Sequence, residues 1–589
     1  MTRRRVKDAA IARWRYLLIV GLLGVLPLFA LWHIAGLQVI SSADRGYQFL
    51  QGQGNARTVR TEAIPAHRGL ITDRHGVPLA VSTPVVSLWA NPQVLDTHGK
   101  AFATLVDRLG LDAQQLRERV ARFSNKEFMY LARHLTPAEA QEVLDLRVQG
   151  VYGQQEFRRF YPAGEVTAQL VGFTNIDEQG QEGIELAYEQ VLAGEPGAKR
   201  VVKDMRGRVI KDVGLIRTEK PGRDVTLSID LRLQYLAYQE LKDAMQRYKA
   251  ESGSVVMLDA RTGEVLAMVN QPSYNPNNRA GVNLEGLRNR AMTDLVEPGS
   301  TMKPLTVAAA LETGKYRPDT VMDTNPGYIW TAGKTFRDFR NYGVLDVTGV
   351  LTKSSQVGTI KMALDMEPAY LRGMFDRFGF GQAPGTGFPG ESPGLLPERN
   401  RWRPIEHVTL SFGYGMTATA LQLARAYTVF ANDGRLKPVS LLKTNGAPRG
   451  EQVLAPAIAA QLREMMATVT QKGGTATRAA INGYTVGGKT GTSHKVGPRG
   501  YEPNRYVGLF AGLVPATDPR LVTVVVINDP RGGSYFGGAV AAPVYAQVTA
   551  DALRLLRVPP DAVAEEQVVG NGHRGTPLRE VAATGGARP

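Results

Sequence analysis

Glu297-Pro298-Gly299-Ser300-Thr301-Met302-Lys303-Pro304 runs into an alanine-rich apolar stretch, Leu305 to Leu311, whose composition predicts a helix. Serine and lysine three apart at a helix start share one face. A serine hydroxyl is a poor nucleophile until a neighbour takes its proton, and Lys303 is the only basic side chain at helical spacing. Free lysine titrates at roughly 10.4, so it acts as a base near neutral pH only when its charged form is disfavoured. Burial, a second cation such as Lys489 and the positive end of the helix all act in that direction.

The same spacing recurs at Ser440-Leu441-Leu442-Lys443, after Pro438 in a short apolar stretch that reads as a strand. Residues three apart then face opposite sides, so this copy is structural. The run Lys489-Thr490-Gly491-Thr492 raises a rival, because Gly483 to Thr490 fits the phosphate-loop pattern G-x-x-x-x-G-K-[ST]. A phosphate loop needs a helix beginning at the lysine, and Gly491, Gly497, Pro498 and Gly500 cannot sustain one. The run makes better sense as a strand edge lining a cleft. Gly491 lets a substrate backbone approach closely, while Lys489, Thr490 and Thr492 offer a cation and two hydroxyls to a terminal carboxylate.

Between these motifs lies Lys353-Ser354-Ser355-Gln356-Val357-Gly358. The order Ser300-x-x-Lys303, Ser354-x-Gln356, Lys489-Thr490-Gly491 resembles the penicillin-binding proteins, whose set is S-x-x-K, S-x-N and K-[ST]-G. The surroundings resemble the division-specific class B branch: Asn289 to Asp294 before the serine motif, Ser411-Phe412-Gly413-Tyr414-Gly415, and Ile527-Asn528-Asp529-Pro530 followed by Tyr535-Phe536-Gly537-Gly538. The resemblance covers about residues 60 to 555. One position departs from it: Gln356 stands where the family has asparagine, keeping the amide but adding a methylene. The family asparagine would help hold the substrate amide and the active-site lysine, so the longer side chain must repack to reach the same partners.

The resemblance implies an α+β fold in which a penicillin-binding transpeptidase domain, a five-stranded antiparallel sheet flanked by helices, follows an elongated pedestal. It implies a D,D-transpeptidase that cross-links stem peptides ending in D-Ala-D-Ala, in septal wall synthesis, and that β-lactams acylate. Ser300 would be the nucleophile, Lys303 its base and Ser354 a proton relay. Gln356, Lys489, Thr490, Gly491 and Thr492 would bind substrate, and the amides of Ser300 and Thr492 would hold the oxyanion. Tyr535 and Phe536 either wall the cleft or pack in the core. A D,D-carboxypeptidase, a β-lactam-hydrolysing or sensing protein and a non-catalytic division scaffold are the alternatives. Hydrolysis needs a water base, and the sequence offers no residue for that role. Because no glycan-polymerising domain is recognisable, the resemblance implies a SEDS-family polymerase and other division proteins as membrane partners.

Leu17 to Leu37 is apolar except for His33 and long enough to span a bilayer core, which predicts a transmembrane helix rather than the shorter core of a cleaved signal. Arg3, Arg4, Arg5, Lys7, Arg13 and Arg15 against Asp8 put the N-terminus in the cytoplasm and the rest outside, in the periplasm of an inner-membrane protein. The chain has no cysteine, so its exported part uses neither disulfides nor thiolate metal sites. Its eight histidines form no H-E-x-x-H pattern, and no cofactor or metal is implied. A net charge of +15 without a recognisable binding module points to anionic lipid and cell wall rather than nucleic acid.

The expected organisation is a basic terminus (1–16), the membrane helix (17–37), a pedestal of the dimerisation type (41–225), the transpeptidase domain (226–558) and a polar tail (559–589). Arg68-Gly69, Asp73-Arg74 and Gly76 resemble the opening pedestal motif, and Arg158, Tyr161, Gly164, Gly183 and Glu185 its later ones. Their charges are expected to pair and lock the two domains. In the catalytic part, Leu233 to Tyr248 reads as an amphipathic helix and Ser254–Leu258 with Glu264–Val269 as a hairpin. Tyr484–Thr492, Tyr506–Val514 and Leu521–Ile527 read as three late strands, and Thr417 as the cap of a helix reaching Phe430.

Overall fold

The computed structural model describes residues 13–38, 48–49, 59–203, 209–497 and 500–562. These form two compact units, one of residues up to 227 together with 274–282, the other of 228–273 and 283 onward. A reading of 226–558 as one continuous domain does not anticipate that excursion of 274–282.

The first unit begins with α1 (Arg13–Gln38), whose window from Arg13 to Gly36 has a mean hydropathy of 2.3. It is about 39 Å long at 1.5 Å per residue, against about 30 Å for a hydrocarbon core, so it fits a single-pass membrane anchor. Of the basic residues expected to orient it, Arg3, Arg4, Arg5 and Lys7 lie outside the described residues. Beyond it, Val59–Ile64, Gly197–Lys203 and Val209–Arg217 make a three-stranded sheet, and a second sheet is organised on the long strand Pro78–Ala90. Leu88, Phe102, Leu105, Leu116, Met129 and Val143 form its core.

Elsewhere in the first unit the fully buried Glu185 carboxylate accepts from Arg68 Nε at 2.8 Å and Arg159 Nε at 2.6 Å, and Arg68 also reaches Glu189 at 2.7 Å. The charged pedestal motifs do pair, but these pairs lie within the first unit. The second arginine on Glu185 is Arg159, one residue beyond the Arg158 that the motif singled out.

In the second unit α2 (Leu231–Tyr248) is capped by Asp230 and buries Leu233, Ala237, Leu241 and Ala244, the expected face. The hairpin β1 (Ser252–Asp259) and β2 (Val265–Gln271) follows. A 3-10 turn, Gly299–Met302, runs into α3 (Lys303–Glu312). Next come a second hairpin, β3 (Tyr328–Thr331) and β4 (Lys334–Arg337), then α4 (Val347–Lys353), α5 (Gln356–Leu364) and α6 (Ala420–Ala431). The late strands are β5 (Gly487–Gly497), β6 (Gly500–Val514) and β7 (Leu521–Asn528), followed by α7 (Gly537–Val540) and α8 (Ala542–Leu555).

The five main strands form one antiparallel sheet in the order β2-β1-β7-β6-β5. This is the expected sheet closed by both ends of the domain. Every residue of β7 from Leu521 to Ile527 is buried, because helices cover both faces. β5 lies at the sheet edge, and along it side chains alternate between faces.

Several boundaries differ from the sequence reading. Thr419 caps α6, accepting from Gln422 N at 3.1 Å, whereas Thr417 bridges to Leu395. β5 starts three residues after Tyr484 and reaches Gly497, because the polar His494-to-Arg505 hairpin is held by backbone pairing rather than by an apolar pattern. Ser440 makes only an isolated bridge to Glu264 rather than a strand. The tail begins later than Pro559: Asp561 accepts from Thr485 N and Thr517 Oγ1, both at 2.7 Å, and residues 563–589 lie outside the described residues.

Candidate active site

Ser300 sits in a turn fixed from several sides. Gly299 N donates to Gly413 O at 3.1 Å, Thr301 Oγ1 to Pro298 O at 2.7 Å, and Tyr427 Oη to Thr301 O at 2.8 Å. Gly413 has φ 79°, and a Cβ there would stand 2.3 Å from Gly299 O, so only glycine admits the turn. Because the turn is 3-10, residues three apart eclipse, which stacks Lys303 directly behind Ser300. Ser300 is half-buried, and among the described residues its hydroxyl has no hydrogen-bond partner. Lys303 is 2% exposed and points to the middle motif, donating to Ser354 O at 2.6 Å and to Ser354 Oγ at 3.2 Å.

The middle motif is the corner between α4 and α5. Ser354 is the left-handed residue (φ 56°) that ends α4, and Ser355 caps α5 by accepting from Gly358 N at 3.0 Å. The corner is pinned by Asp338, whose carboxylate accepts from Ser355 Oγ at 2.7 Å, Gln356 N at 2.5 Å and Val357 N at 3.1 Å. Gln356 is the first residue of α5 and half-buried; among the described residues its side-chain amide makes no hydrogen bond.

Lys489 is fully buried near the start of β5, with no helix starting at it, so the phosphate-loop reading fails. Its ammonium donates to Ser354 Oγ at 2.9 Å and to Thr490 O and Oγ1 at 3.2 and 3.3 Å. Two lysines from distant parts of the chain therefore meet on one serine hydroxyl beside Ser300. Burial pushes Lys303 down to about 8, while Asp338 holds it up. Lys489 is pushed well below the usual lysine range by burial and then by the charge of Lys303. Burial, rather than the charge of Lys489, is thus the main cause of the Lys303 shift.

At the sheet edge Tyr414 Oη donates to Thr492 O at 3.4 Å, so that carbonyl faces outward. In an antiparallel ladder a residue's N–H and C=O point the same way, which turns the Thr492 amide to the open edge beside the Ser300 turn. The Thr490 and Thr492 hydroxyls have further partners near α7, and Thr490 Oγ1 is also the one reached by the Lys489 ammonium. Thr492 Oγ1 accepts from Gly537 N at 3.0 Å, and Thr490 Oγ1 lies 3.2 Å from Thr475 Oγ1. Gly491 is needed for a reason other than substrate access: a Cβ there would be 2.8 Å from Pro298 O, so the nucleophile's own turn occupies that space.

A family model described as the penicillin-binding protein transpeptidase domain matches residues 253–550. A second, for the penicillin-binding protein dimerisation domain, matches residues 63–227. The chain belongs to the class B penicillin-binding proteins. This penicillin-binding protein is 43% identical to the peptidoglycan D,D-transpeptidase FtsI of Escherichia coli over 95% of each chain. It is 42% identical to the probable peptidoglycan D,D-transpeptidase PbpC of Pseudomonas aeruginosa, over 95% of this chain and 98% of that one. Among solved structures, a peptidoglycan synthetase from Bifidobacterium adolescentis matches with a TM-score of 0.68 at 26% identity, covering 86% of this chain and 98% of that one.

Tyr535 and Phe536 of this penicillin-binding protein form an exposed stack rather than core. Tyr506 and Tyr535 stack at 3.9 Å, Tyr535 and Phe536 at 4.4 Å, and Phe536 is 48% exposed just before the amide that holds Thr492. The series continues through His494 and Tyr501 to Tyr414, the residue on the Thr492 carbonyl. Glu297 ties this series to the nucleophile loop, accepting from Tyr501 Oη at 3.0 Å and Gly415 N at 2.8 Å, and burial pushes its carboxyl up. Sequence reasoning assigned no role to Asp338, Glu297, Tyr414 or Tyr501. Glu297 and Tyr414 lie inside motifs already quoted, whereas Asp338 stands alone between Arg337 and Phe339 with no local signal.

Proposed function

We propose that this protein cross-links peptidoglycan stem peptides as a serine D,D-transpeptidase through an ester on Ser300, in septal wall synthesis. The observation that carries the reading is the meeting of Lys303 and Lys489 on the Ser354 hydroxyl beside the Ser300 turn. Ser300 Oγ attacks the carbonyl of the penultimate D-alanine and its proton passes to neutral Lys303. The amides of Ser300 and Thr492 hold the oxyanion. The C–N bond to the terminal D-alanine then breaks, and Ser354 delivers the proton to the leaving amine. An amine of a neighbouring stem peptide attacks the ester, forming the cross-link and restoring Ser300.

Lys489, with Thr490 and Thr492, binds the terminal carboxylate. The arriving anion favours the charged form of Lys489, and that charge in turn favours neutral Lys303, so substrate prepares its own base. Gln356 holds the substrate amide, while Tyr535 and Phe536 wall the cleft. β-Lactams, which mimic the dipeptide, acylate Ser300. The family match and the named relatives do not favour the carboxypeptidase and scaffold alternatives. With α1 as the anchor, the N-terminus lies in the cytoplasm and the catalytic unit in the periplasm. A SEDS-family polymerase supplies the glycan strands. The test is fluorescent-penicillin labelling read by mass spectrometry: a stable adduct on Ser300, absent from Ser300→Ala, is expected, and no adduct on a folded sample overturns the reading.

A further inference from the structure

In the first unit the strands Met129–Leu135 and Val151–Phe160 both pair with Pro78–Ala90. The excursion 274–282 is tied to the segment that follows them: Asn277 Oδ1 accepts from Tyr161 N at 3.0 Å, its Nδ2 donates to Tyr161 O at 2.9 Å, and Arg279 Nη1 donates to Thr174 O at 2.8 Å. Together these pieces border a cavity of about 460 Å³, and every residue lining it belongs to the first unit. Arg133, Arg158, Arg159 and Arg279 line it, against one carboxyl, that of Glu178.

What these cations already hold decides what they can take. Arg133 is engaged by Glu156 and Asp177, at 3.0 and 2.9 Å, and Arg159 by Glu185 at 2.6 Å. Arg158, a motif residue expected to pair, makes no ion pair and no side-chain hydrogen bond among the described residues, and Arg279 makes no ion pair. The Arg279 guanidinium lies 4.1 Å from the Phe173 ring centroid, a cation–π contact that holds it without using its N–H donors. Two further groups on the wall lack partners. Arg159 Nη2 and His134 Nε2 are buried and make no hydrogen bond among the described residues, the Glu156 oxygen being 3.7 Å from His134 Nε2. Buried polar groups are nearly always satisfied, so two of them on one polar cavity point to a ligand. Glu178 does not cancel the positive excess, because burial pushes its carboxyl up and it accepts from Ser82 Oγ at 2.7 Å. The volume suits a small molecule rather than a bare ion, and two unengaged guanidiniums match two negative charges.

We propose that this cavity binds a small dianionic ligand, a phosphate monoester or a dicarboxylate, gripped by Arg158 and Arg279 and reached by the unpartnered nitrogen of Arg159. Bound there, the ligand ties the excursion 274–282 to the strand that carries Arg158. The inference concerns the pedestal alone and does not rest on the transpeptidase reading.

The test titrates the detergent-solubilised full chain with phenyl phosphate and, separately, with glutarate, each at an ionic strength held constant with chloride, and reads hydrogen exchange. At least one probe gives saturable protection of 129–135, 174–179 and 275–280, and the tighter of the two tells whether the site is built for phosphate or for carboxylate. Arg158→Gln and Arg279→Gln each weaken that probe about tenfold or more, the worth of one charged hydrogen bond, and Arg279→Lys recovers part of the loss. Arg108→Gln, at an exposed arginine of the same unit paired with Glu142, binds as the parental protein does. Parental protection of 85–90 in the core strand shows that each variant is folded. Absence of saturable protection by either probe would overturn the site. So would parental affinity in both Arg158→Gln and Arg279→Gln, or an equal loss in Arg108→Gln, because the anion would then be held by general charge and not by this cavity.

Discussion

Replacing Asp338 with asparagine separates the two jobs its carboxylate performs. It accepts three hydrogen bonds at the α5 corner, from Ser355 Oγ, Gln356 N and Val357 N, and it is the group that holds Lys303 up against burial. The amide keeps one acceptor but presents N–H groups to the Ser355 hydroxyl, and every surviving bond loses its charge. Hydrogen bonds to charged groups contribute about 1.5–3 kcal/mol and neutral ones about 0.5–1.5, so with about 1–1.5 kcal/mol lost at each of the three bonds Asp338→Asn costs about 3–4 kcal/mol of stability.

The charge effect has the opposite sign for the base. With Lys303 as the proposed base, acylation needs its neutral form, so the rate is expected to rise with pH through about 8 in the parental protein. Removing the anion disfavours the charged lysine further and moves this acid limb to lower pH by about one unit, equivalent to about 1.4 kcal/mol. The high-pH plateau falls, because Ser354 and Gln356 are less firmly placed. The assay is the second-order acylation rate with a fluorescent penicillin from pH 6 to 10, beside urea unfolding. Ser355→Ala is the control: it removes one bond but no charge, lowering the plateau without moving the limb. An unmoved limb in Asp338→Asn would refute the electrostatic role of Asp338. A limb moved to higher pH would refute Lys303 as the base.

Gln356→Asn restores the shorter amide at the start of α5, where the glutamine amide lacks a protein partner among the described residues, and is expected to raise acylation by up to about tenfold, one hydrogen bond's worth; an unchanged rate would show that glutamine repacks without loss. Gly413→Ala sets a methyl group against Gly299 O and displaces the Ser300 turn, so acylation should drop at least about a hundredfold while circular dichroism stays near parental; full activity would contradict the close approach. Glu185→Ala leaves Arg68 and Arg159 buried without their shared anion and should cost about 3–5 kcal/mol in the first unit, measured by hydrogen exchange of its core strands. Protection equal to that of the parental protein would mean that water replaces the carboxylate.

Much of this protein was legible because the relevant physics is local. Short apolar runs marked β1, β2, β6 and β7, 3.6-residue periodicity marked α2, and a long uncharged stretch marked α1, since each pattern is dictated by one element's own geometry. The residue types of the site were readable for the same reason, because a serine needs a base three residues away and a substrate anion needs a cation. The polar half of the β5–β6 hairpin was not, since its strands are set by pairing with each other and carry no apolar period.

How distant residues share space is a property of the folded chain alone. The sequence named Ser300, Ser354 and Lys489 but could not say that both lysines reach the same hydroxyl, which requires the sheet to close with β5 beside the Ser300 turn. Nor could it show that Gly491 makes room for Pro298 rather than for substrate, or that a lone aspartate pins the middle motif. The lysine titrations follow the same division. Residue type fixes their free values, and complete burial beside one another, a property of the folded chain alone, brings those values down far enough for one lysine to serve as a base.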